Sequence, residues 1–173
     1  MAKADLSADR LRELLDYNPE TGDFFHRSTS YCGANNRVRV RAGDRAGHKS
    51  QVTGYLVLRV DGRNYQAHRV AWLYVYGVWP RNEIDHIDGD RSNNRISNLR
   101  DVSRAVNAQN LRWNNLNTAS KHRGVHFNKP TGRWYAKIKV GGKVFSLGGY
   151  ANPEDAHAVY LEAKRRLHPG CTI

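Results

Sequence analysis

Hydrophobic and polar residues alternate along the first two thirds of the chain in patterns typical of short helices and strands. A short helix is predicted after Ser7, because a helix-capping residue there precedes leucines at helical spacing. Residues 55–60 and 64–67 are rich in β-forming residues and flank an Asp-Gly dipeptide, which predicts a β-hairpin. Residues 68–76 are apolar and aromatic and are followed by a glycine, so a helix packed into the core is predicted next.

The last third of the chain predicts one small sheet covered by one helix. Residues 124–128, 133–140 and 143–148 are predicted as strands, since turn residues separate them. Alternation along the second strand places its apolar residues on one face and its arginine, tyrosine and lysines on the other. Asn152 is expected to cap a helix whose apolar stripe would cover the apolar face.

The charge balance points to a polyanionic partner. The formal net charge is +12 at pH 7, and the lysines and arginines are spread along the chain rather than confined to a tail. Ribosomal and membrane-surface proteins are also basic, so the motifs must decide between partners. Residues 37–49 form a basic loop or edge strand in which Arg37, Arg39 and Arg41 are predicted DNA contacts, with an ordinary solvated surface as the alternative.

Composition excludes several other classes of protein. Cys32 and Cys171 are the only cysteines and form no C-x-x-C pair, so neither a zinc finger nor a disulfide framework is predicted. No apolar run approaches the ~18 residues of a membrane-spanning helix, and the first segment lacks a signal-peptide core. We therefore expect an intracellular, cytoplasmic protein that does not contact a membrane.

The run from Asp85 to Asn107 combines carboxylates, an imidazole and carboxamides. A hard divalent cation prefers oxygen ligands such as Asp85 and a carboxamide, while His86 beside the metal could take a proton from water near neutral pH. Strand alternation would place Asp85 and His86 on opposite faces, so a bulge or a strand end is expected there, near Gly89. The run predicts a one-metal phosphodiesterase site.

Other residues of this run have simpler interpretations. Asp and Asn side chains bond to nearby backbone in loops, so four of them are expected mainly to shape the loop: Asp88, Asp90, Asn93 and Asn94. A calcium loop is excluded because the spacing lacks a glutamate at the twelfth position. Just before the run, His68 could touch phosphate with Arg69 or pack as a structural histidine beside the sheet.

Several spaced motifs of this region resemble the HNH endonucleases, in particular the phage and intron-encoded homing endonucleases of the ββα-metal fold. The resemblance covers roughly residues 52–112. It rests on these segments: His68-Arg69-Val70-Ala71-Trp72, Gly77-Val78-Trp79-Pro80, Asp85-His86, Asp88-Gly89-Asp90, Asn93-Asn94, Asn98-Leu99-Arg100 and Asn107.

This resemblance implies a division of labour within the site. Asp85 and Asn107 would bind one Mg²⁺ or Mn²⁺ ion, His86 would act as general base on the attacking water, and Asn98 would orient His86. Other branches of the family carry histidine at the position of Asn107, so the asparagine here favours a hard, oxygen-ligated ion over zinc. Asn110, one helical turn further, is a weaker substitute for Asn107.

The C-terminal segment, residues 121–168, resembles the plant ethylene-response-factor (APETALA-type) DNA-binding domain. A three-stranded sheet with a free basic face suits the major groove of DNA. The resemblance implies that Trp134 and Phe145 lie on the buried side. It places these residues on the DNA-facing side: His126, Asn128, Arg133, Lys137, Lys139 and Ser146. The plant domains carry more arginine and an exposed tryptophan there, so a target sequence is not transferred.

Together these patterns predict an α+β protein. A ββα-metal HNH core would be preceded by a small β-rich N-terminal segment and followed by a three-stranded antiparallel sheet packed on one helix. The predicted divisions are residues 1–51, the nuclease domain 52–112, a linker 113–120 and the DNA-binding domain 121–173.

The expected function is divalent-metal-dependent cleavage of double-stranded DNA by a homing-type endonuclease. It would nick or cut both strands, as a monomer or homodimer encoded by a phage or mobile element. A catalytically inactive, sequence-specific DNA-binding protein is the alternative, and the intact set of site residues argues against it. Cleavage of RNA is a third hypothesis. It is disfavoured because the separate C-terminal segment resembles a domain that binds double-stranded DNA.

Overall fold

A computed structural model describes residues 6–32, 37–110 and 120–172 of the chain. The chain divides into two compact units, residues 1–103 and 104–173. Of the predicted linker 113–120, only Ser120 lies within the described residues. No helix in the described ranges is long and apolar enough to cross a membrane.

Within its described residues, 6–32 and 37–103, the first unit contains two helices and ten short strands. Its helices are α1 (Ala8–Leu14) and α2 (Ala67–Tyr76). Its strands are β1 (Leu15–Asn18), β2 (Asp23–His26), β3 (Ser30–Cys32), β4 (Arg37–Val40), β5 (Arg45–Ala46), β6 (His48–Lys49), β7 (Leu56–Val60), β8 (Arg63–Gln66), β9 (Glu83–His86) and β10 (Leu99–Val102). A 3₁₀ turn at Ile96–Asn98 leads into β10.

These strands form four small antiparallel sheets. Their orders are β1-β2-β5, β3-β4, β6-β7-β8 and β10-β9. The hairpin predicted around the Asp-Gly turn is confirmed as β7 and β8. The predicted helix after Ser7 is also confirmed, because the Ser7 side chain accepts a hydrogen bond from the backbone of Arg10 at the start of α1.

Helix α2 ends where the sequence predicts. Gly77 adopts a left-handed conformation with φ 75°, and its N–H donates to the carbonyl of Leu73 at 2.9 Å. This closing bond satisfies a carbonyl that the helix would otherwise leave open. Beyond it, Trp79 donates from Nε1 to the carbonyl of Leu6 and stacks on Tyr65, so its side chain packs within this unit.

One hydrophobic core joins the N-terminal strands to helix α2. Leu11, Phe24, Leu58, Val70 and Leu73 are all essentially inaccessible to solvent within it. The predicted division between residues 51 and 52 falls inside this unit, with core residues on both sides. Neither half would bury enough apolar surface to be stable by itself, which accounts for the shared core.

In the parts of the second unit that the structure describes, residues 104–110 and 120–172, there are two helices and one sheet. Its elements are α3 (Arg104–Asn110), β11 (Val125–Asn128), β12 (Arg133–Val140), β13 (Lys143–Tyr150) and α4 (Pro153–Leu167). The sheet is antiparallel in the order β11-β12-β13, and α4 packs against it. Its core lies between α4 and one face of the sheet and consists of Val125, Ala136, Ile138, Ala156, Tyr160 and Ala163.

Two local features fix helix α4 on the sheet. The Asn152 side chain accepts from the backbone of Asp155 at 2.9 Å and caps the helix, with Pro153 at its first turn. Gly124 has φ 77°, and a Cβ there would overlap the ring of Tyr160 from α4. The absence of a side chain at residue 124 therefore lets the helix approach the start of β11.

Helix α3, which the sequence assigns to the nuclease domain, makes its described contacts within the second unit. Gln109 accepts a hydrogen bond from the backbone of Gly170 at 3.0 Å. Asn110 bonds to Thr172, and Arg123 reaches the carbonyl of Ala108 at 3.3 Å. These polar contacts attach the helix to residues near the end of the second unit.

Candidate active site

The β9–β10 hairpin carries the two central residues of the site. Its register is regular, pairing Asp85 with Arg100 and His86 with Leu99. Strand β9 ends at His86, whose carbonyl accepts from the N–H of Gly89 at 2.9 Å. The expectation of a bulge or a strand end is confirmed by the strand end, because the register is regular and β9 stops at His86.

The backbone that enters β9 is held in place by one carboxylate. Asp101, on β10, accepts hydrogen bonds from the backbone N–H groups of Arg81 and Asn82 at 2.8 and 3.0 Å. Both faces of β9 are covered, so Asp85 and His86 are only 7% and 4% exposed. Asp85 and His86, whose side chains extend from opposite faces of the strand, are therefore both buried.

Asp85 forms an ion pair with Arg100 on the neighbouring strand. The guanidinium donates to Asp85 Oδ2 from Nε at 2.9 Å and from Nη2 at 2.6 Å. The Arg100 side chain is 24% exposed, whereas that of Asp85 is 8% exposed. The two hydrogen bonds from Arg100 offset part of the cost of burying this polar group.

The His86 ring contacts the side chain of Asn94. Nε2 of His86 lies 3.2 Å from Oδ1 of Asn94, and Nδ2 of Asn94 donates to the carbonyl of Ser92 at 3.2 Å. This assignment makes Nε2 the protonated nitrogen of a neutral ring, with the lone pair at Nδ1. Burial is the largest cause that lowers the pKa of His86 below 6.5, although Asn94 and nearby carboxylates act in the opposite direction.

A second histidine packs against the first. The rings of His68 and His86 meet edge to face with centroids 5.0 Å apart, and Tyr55 contacts both rings. His68 is 4% exposed, and burial lowers its pKa to about 3, with a smaller effect from the His86 charge. His68 is therefore uncharged at neutral pH, which favours packing beside the sheet over phosphate contact.

The loop after β9 is organised by its own acids and amides. Asp88 accepts from the backbone of Asp90 at 2.8 Å and from the amides of Asn93 at 2.6 Å and Asn98 at 3.0 Å. Burial acts to raise the pKa of Asp88, but these hydrogen bonds outweigh it and the pKa is lowered. Asp90 accepts from Ser92, which lowers the pKa of Asp90 as well.

The structure corrects two assignments within this loop. Asn98 was expected to orient His86, but its carboxamide bonds instead to Asp88 and Asn93, because it lies at the end of the 3₁₀ turn facing the loop. Asn94 was expected mainly to shape the loop, yet its side-chain oxygen lies within hydrogen-bond distance of the His86 ring. Two adjacent asparagines in a sequence carry no signal that shows which of them is buried.

Asn107, the second predicted metal ligand, lies on α3 and is half-buried. Asn110, its weaker substitute, is buried and bonds to Thr172. Within the described ranges, no three His, Cys, Asp or Glu side chains gather closely enough to hold a metal ion. A carboxylate and a carboxamide, such as those of Asp85 and Asn107, are oxygen donors of the kind that hard ions prefer.

Helix α4 packs against one face of the sheet of the second unit, and the opposite face carries the predicted DNA contacts. Strand pairs that share this face are His126 with Tyr135, Asn128 with Arg133, Lys137 with Ser146 and Lys139 with Val144. The six predicted DNA-facing residues therefore lie on one face, opposite the core residues. Phe145 faces the core side as expected but is 49% exposed, because β13 is an edge strand.

The basic N-terminal segment borders a groove in the first unit. Arg37 and Arg39 lie on β4 and Arg41 follows it, and all three are exposed. The groove has a volume of about 590 Å³, and its basic lining residues are His26, Arg39, Arg45, His48 and Arg59. Arg45 pairs with Asp23, so part of this charge is already balanced.

With this geometry established, comparison with known proteins defines the class. Residues 65–109 match the family model described as HNH endonuclease, a range that includes Asp85, His86 and Asn107. The chain thus contains an HNH endonuclease domain, and the family is one of nucleases that act on DNA. The match ends before the sheet of the second unit begins.

One relative supports the same class. The chain is 36% identical over 83 residues to an uncharacterized HNH endonuclease of Acanthamoeba polyphaga mimivirus, a stretch that covers 46% of this chain and 20% of that protein. The chain thus covers about a fifth of the viral protein's length. No solved structure matches the chain.

Proposed function

We propose that this protein is a divalent-metal-dependent endonuclease that hydrolyses phosphodiester bonds in double-stranded DNA. The observation that carries the proposal is the buried pair Asp85-His86 at the end of β9, with the His86 ring aligned by Asn94. A buried carboxylate next to an oriented, neutral imidazole is the arrangement that metal-assisted hydrolysis requires.

The donor groups fit a hard cation. Asp85 and Asn107 would hold one Mg²⁺ or Mn²⁺ ion through a carboxylate and a carboxamide oxygen. The ion would stabilise negative charge on the phosphoryl oxygens and on the departing alkoxide. The pairing of Asp85 with Arg100 supports a carboxylate at this buried position, because two guanidinium N–H groups offset the cost of removing it from water.

His86 supplies the proton acceptor. Its Nδ1 lone pair takes a proton from water as the water oxygen forms a bond to phosphorus, and the opposite phosphorus–oxygen bond breaks. The alkoxide leaves and is protonated by solvent, so the products are a phosphate end and a hydroxyl end. Asn98 contributes indirectly, since it holds Asp88 and the loop that follows His86.

Two basic surfaces would bind the substrate. The open sheet face of the second unit resembles a groove-reading module of the ethylene-response-factor type and would position the protein on DNA. The groove bordered by Arg39 and Arg59 would contact phosphates in a sequence-independent way, with Arg37 and Arg41 beside it. In its most specific form, the proposal is that the protein is a homing-type enzyme of phage or mobile-element origin. It would act as a monomer or homodimer.

Incubation of supercoiled plasmid with the protein tests the activity. We expect nicked or linear DNA with Mg²⁺ or Mn²⁺ and intact plasmid when EDTA is added, because the ion is required for charge stabilisation. Gel electrophoresis measures the products. Binding of the same DNA without any metal-dependent cleavage, on plasmid and on genomic fragments alike, would instead support the alternative of a catalytically inactive, sequence-specific DNA-binding protein.

Two lysines on opposite faces of the same sheet test the DNA-binding surface. Lys139→Ala removes a charge from the open face, whereas Lys143→Ala removes one paired in register with Val140 on the core side. We expect only Lys139→Ala to weaken binding and to reduce the slope of log affinity against log salt by about 1. Fluorescence anisotropy at several salt concentrations measures both quantities, and equal effects of the two changes would count against the proposed surface.

A further inference from the structure

Asn94 is the most completely buried polar residue beside the candidate active site. Its side chain is 1% exposed and has both ends occupied, with Oδ1 against His86 Nε2 and Nδ2 on the carbonyl of Ser92. A carboxamide whose donor end is already engaged can present only its oxygen to the imidazole. The orientation of Asn94 therefore favours the His86 tautomer that carries its proton on Nε2.

The backbone of Asn94 is held from the N-terminal part of the unit. Tyr17, on β1, donates its hydroxyl to the Asn94 carbonyl at 2.7 Å, across 77 residues of sequence. Burial raises the pKa of Tyr17 to about 12, so this hydroxyl stays a donor through the pH range in which a nuclease works. The Tyr17 ring is itself fixed by Phe24 and Tyr74, whose centroids lie 4.7 and 5.6 Å away.

Gly22 makes a second contact with the same peptide. It lies in the turn between β1 and β2, with φ 79°, and its N–H donates to the Asn18 carbonyl at 2.8 Å. A Cβ at this position would lie 2.5 Å from Asn94 C and 2.5 Å from Arg95 N. The turn can therefore press against the Asn94–Arg95 peptide only because residue 22 has no side chain.

We propose that the β1–β2 hairpin is a positioning device for the general base: Tyr17 and Gly22 fix Asn94, and Asn94 fixes the His86 ring with Nε2 protonated and Nδ1 basic. Asn94 and Tyr17 are then positioning residues, since neither reaches the phosphate or the water. The catalytic consequence rests on the proposed nuclease function, whereas the state of the His86 ring can be measured without it.

The hairpin contact is tested with two matched tyrosines. Tyr17→Phe removes the hydroxyl that binds Asn94, and Tyr74→Phe removes a hydroxyl from a second ring of the same aromatic cluster. We expect Tyr17→Phe to lower kcat by about 3- to 10-fold, the value of one hydrogen bond, with KM for DNA unchanged. Tyr74→Phe should leave both constants unchanged, and equal losses in the two variants would overturn the proposal.

The orientation of His86 is tested by ¹⁵N NMR of histidine-labelled protein without DNA or metal. The His86 signals are assigned by their loss in His86→Gln, and wild type should show a protonated Nε2 and an unprotonated Nδ1. Asn94→Leu removes the acceptor at similar volume and should mix the two tautomers, whereas Asn94→Asp retains an acceptor and should preserve the Nε2-protonated ring.

The two readouts separate the possible failures. An unchanged tautomer in Asn94→Leu, or a wild-type ring protonated at Nδ1, would overturn the inference whether or not the protein cuts DNA. Absence of cleavage in wild type, together with the expected NMR result, would remove the proposed function and leave the positioning contact in place. Far-UV circular dichroism and thermal unfolding of each variant show that the compared proteins are folded.

Discussion

Replacing His86 with alanine is expected to reduce the rate of DNA cleavage by about 10²- to 10⁴-fold, the usual contribution of a general base. The His86 ring is buried and contacts Asn94. Among the described histidines, only His68 packs against it closely enough to replace it as the base after a small movement. Burial lowers the pKa of His68 to about 3 and makes it a poor base. Single-turnover cleavage of a labelled DNA fragment measures the rate.

The pH dependence of the same rate identifies the group. The pKa of His86 is lowered, so the neutral, basic form persists below pH 6.5. The wild-type rate should therefore fall only as the pH drops below that value, and the fall should be absent in His86→Ala. His86→Gln provides the control, since it approximates the size of the ring and should bind DNA as tightly as wild type. A loss of less than a few-fold in both variants would remove His86 as the base.

Replacing Asp85 with asparagine is expected to abolish detectable Mn²⁺ binding and to lower cleavage by at least about 10²-fold. Outer-shell partners of a metal commonly contribute 10- to 100-fold, and loss of a ligand should cost no less. Isothermal titration with Mn²⁺ and single-turnover cleavage measure the two effects. Asp101→Asn, on the adjacent strand, removes a carboxylate that caps backbone groups and serves as the comparison for a purely structural loss.

The same substitution leaves Arg100 without its counterion. Removing one partner of a buried ion pair typically costs about 3–5 kcal/mol, less where one partner is partly exposed as here. The double variant Asp85→Asn with Arg100→Met should recover much of the lost stability but none of the metal binding. Recovery of cleavage along with stability would show that Asp85 acts through folding alone and is not a ligand.

Local signals in the sequence were sufficient for much of the fold. The Asp-Gly turn fixed the hairpin of β7 and β8, and the capping residue Ser7 marked the start of α1. The strands of the second unit follow from their glycine-containing turns. By contrast, the hydrophobic core contains residues from both sides of position 51. It depends on packing between distant segments, which the alternation of hydrophobic and polar residues within one segment does not predict.

The candidate site was predictable in its chemistry but not in its contacts. Asp85 and His86 stand out because acid and imidazole are adjacent in a loop-rich region. The contact between Asn94 and His86, and that between Tyr17 and Asn94, join segments that no periodicity relates. The sequence left two interpretations of His68 open, phosphate contact and packing beside the sheet. Its packing on His86 depends on how α2 and β9 are placed in three dimensions, which the sequence does not show.

The contacts of Tyr17 and Gly22 with Asn94 also bear on how such a domain can be inherited. The family match begins at residue 65, whereas these two residues lie more than 40 positions earlier in the chain. A recombination event or a truncated gene that transfers only the matched segment would lose Tyr17 and Gly22, the two residues that hold Asn94. The segment that holds Asn94 in place is therefore longer than the matched range, and a protein that carried only residues 65–109 would need other contacts to hold Asn94.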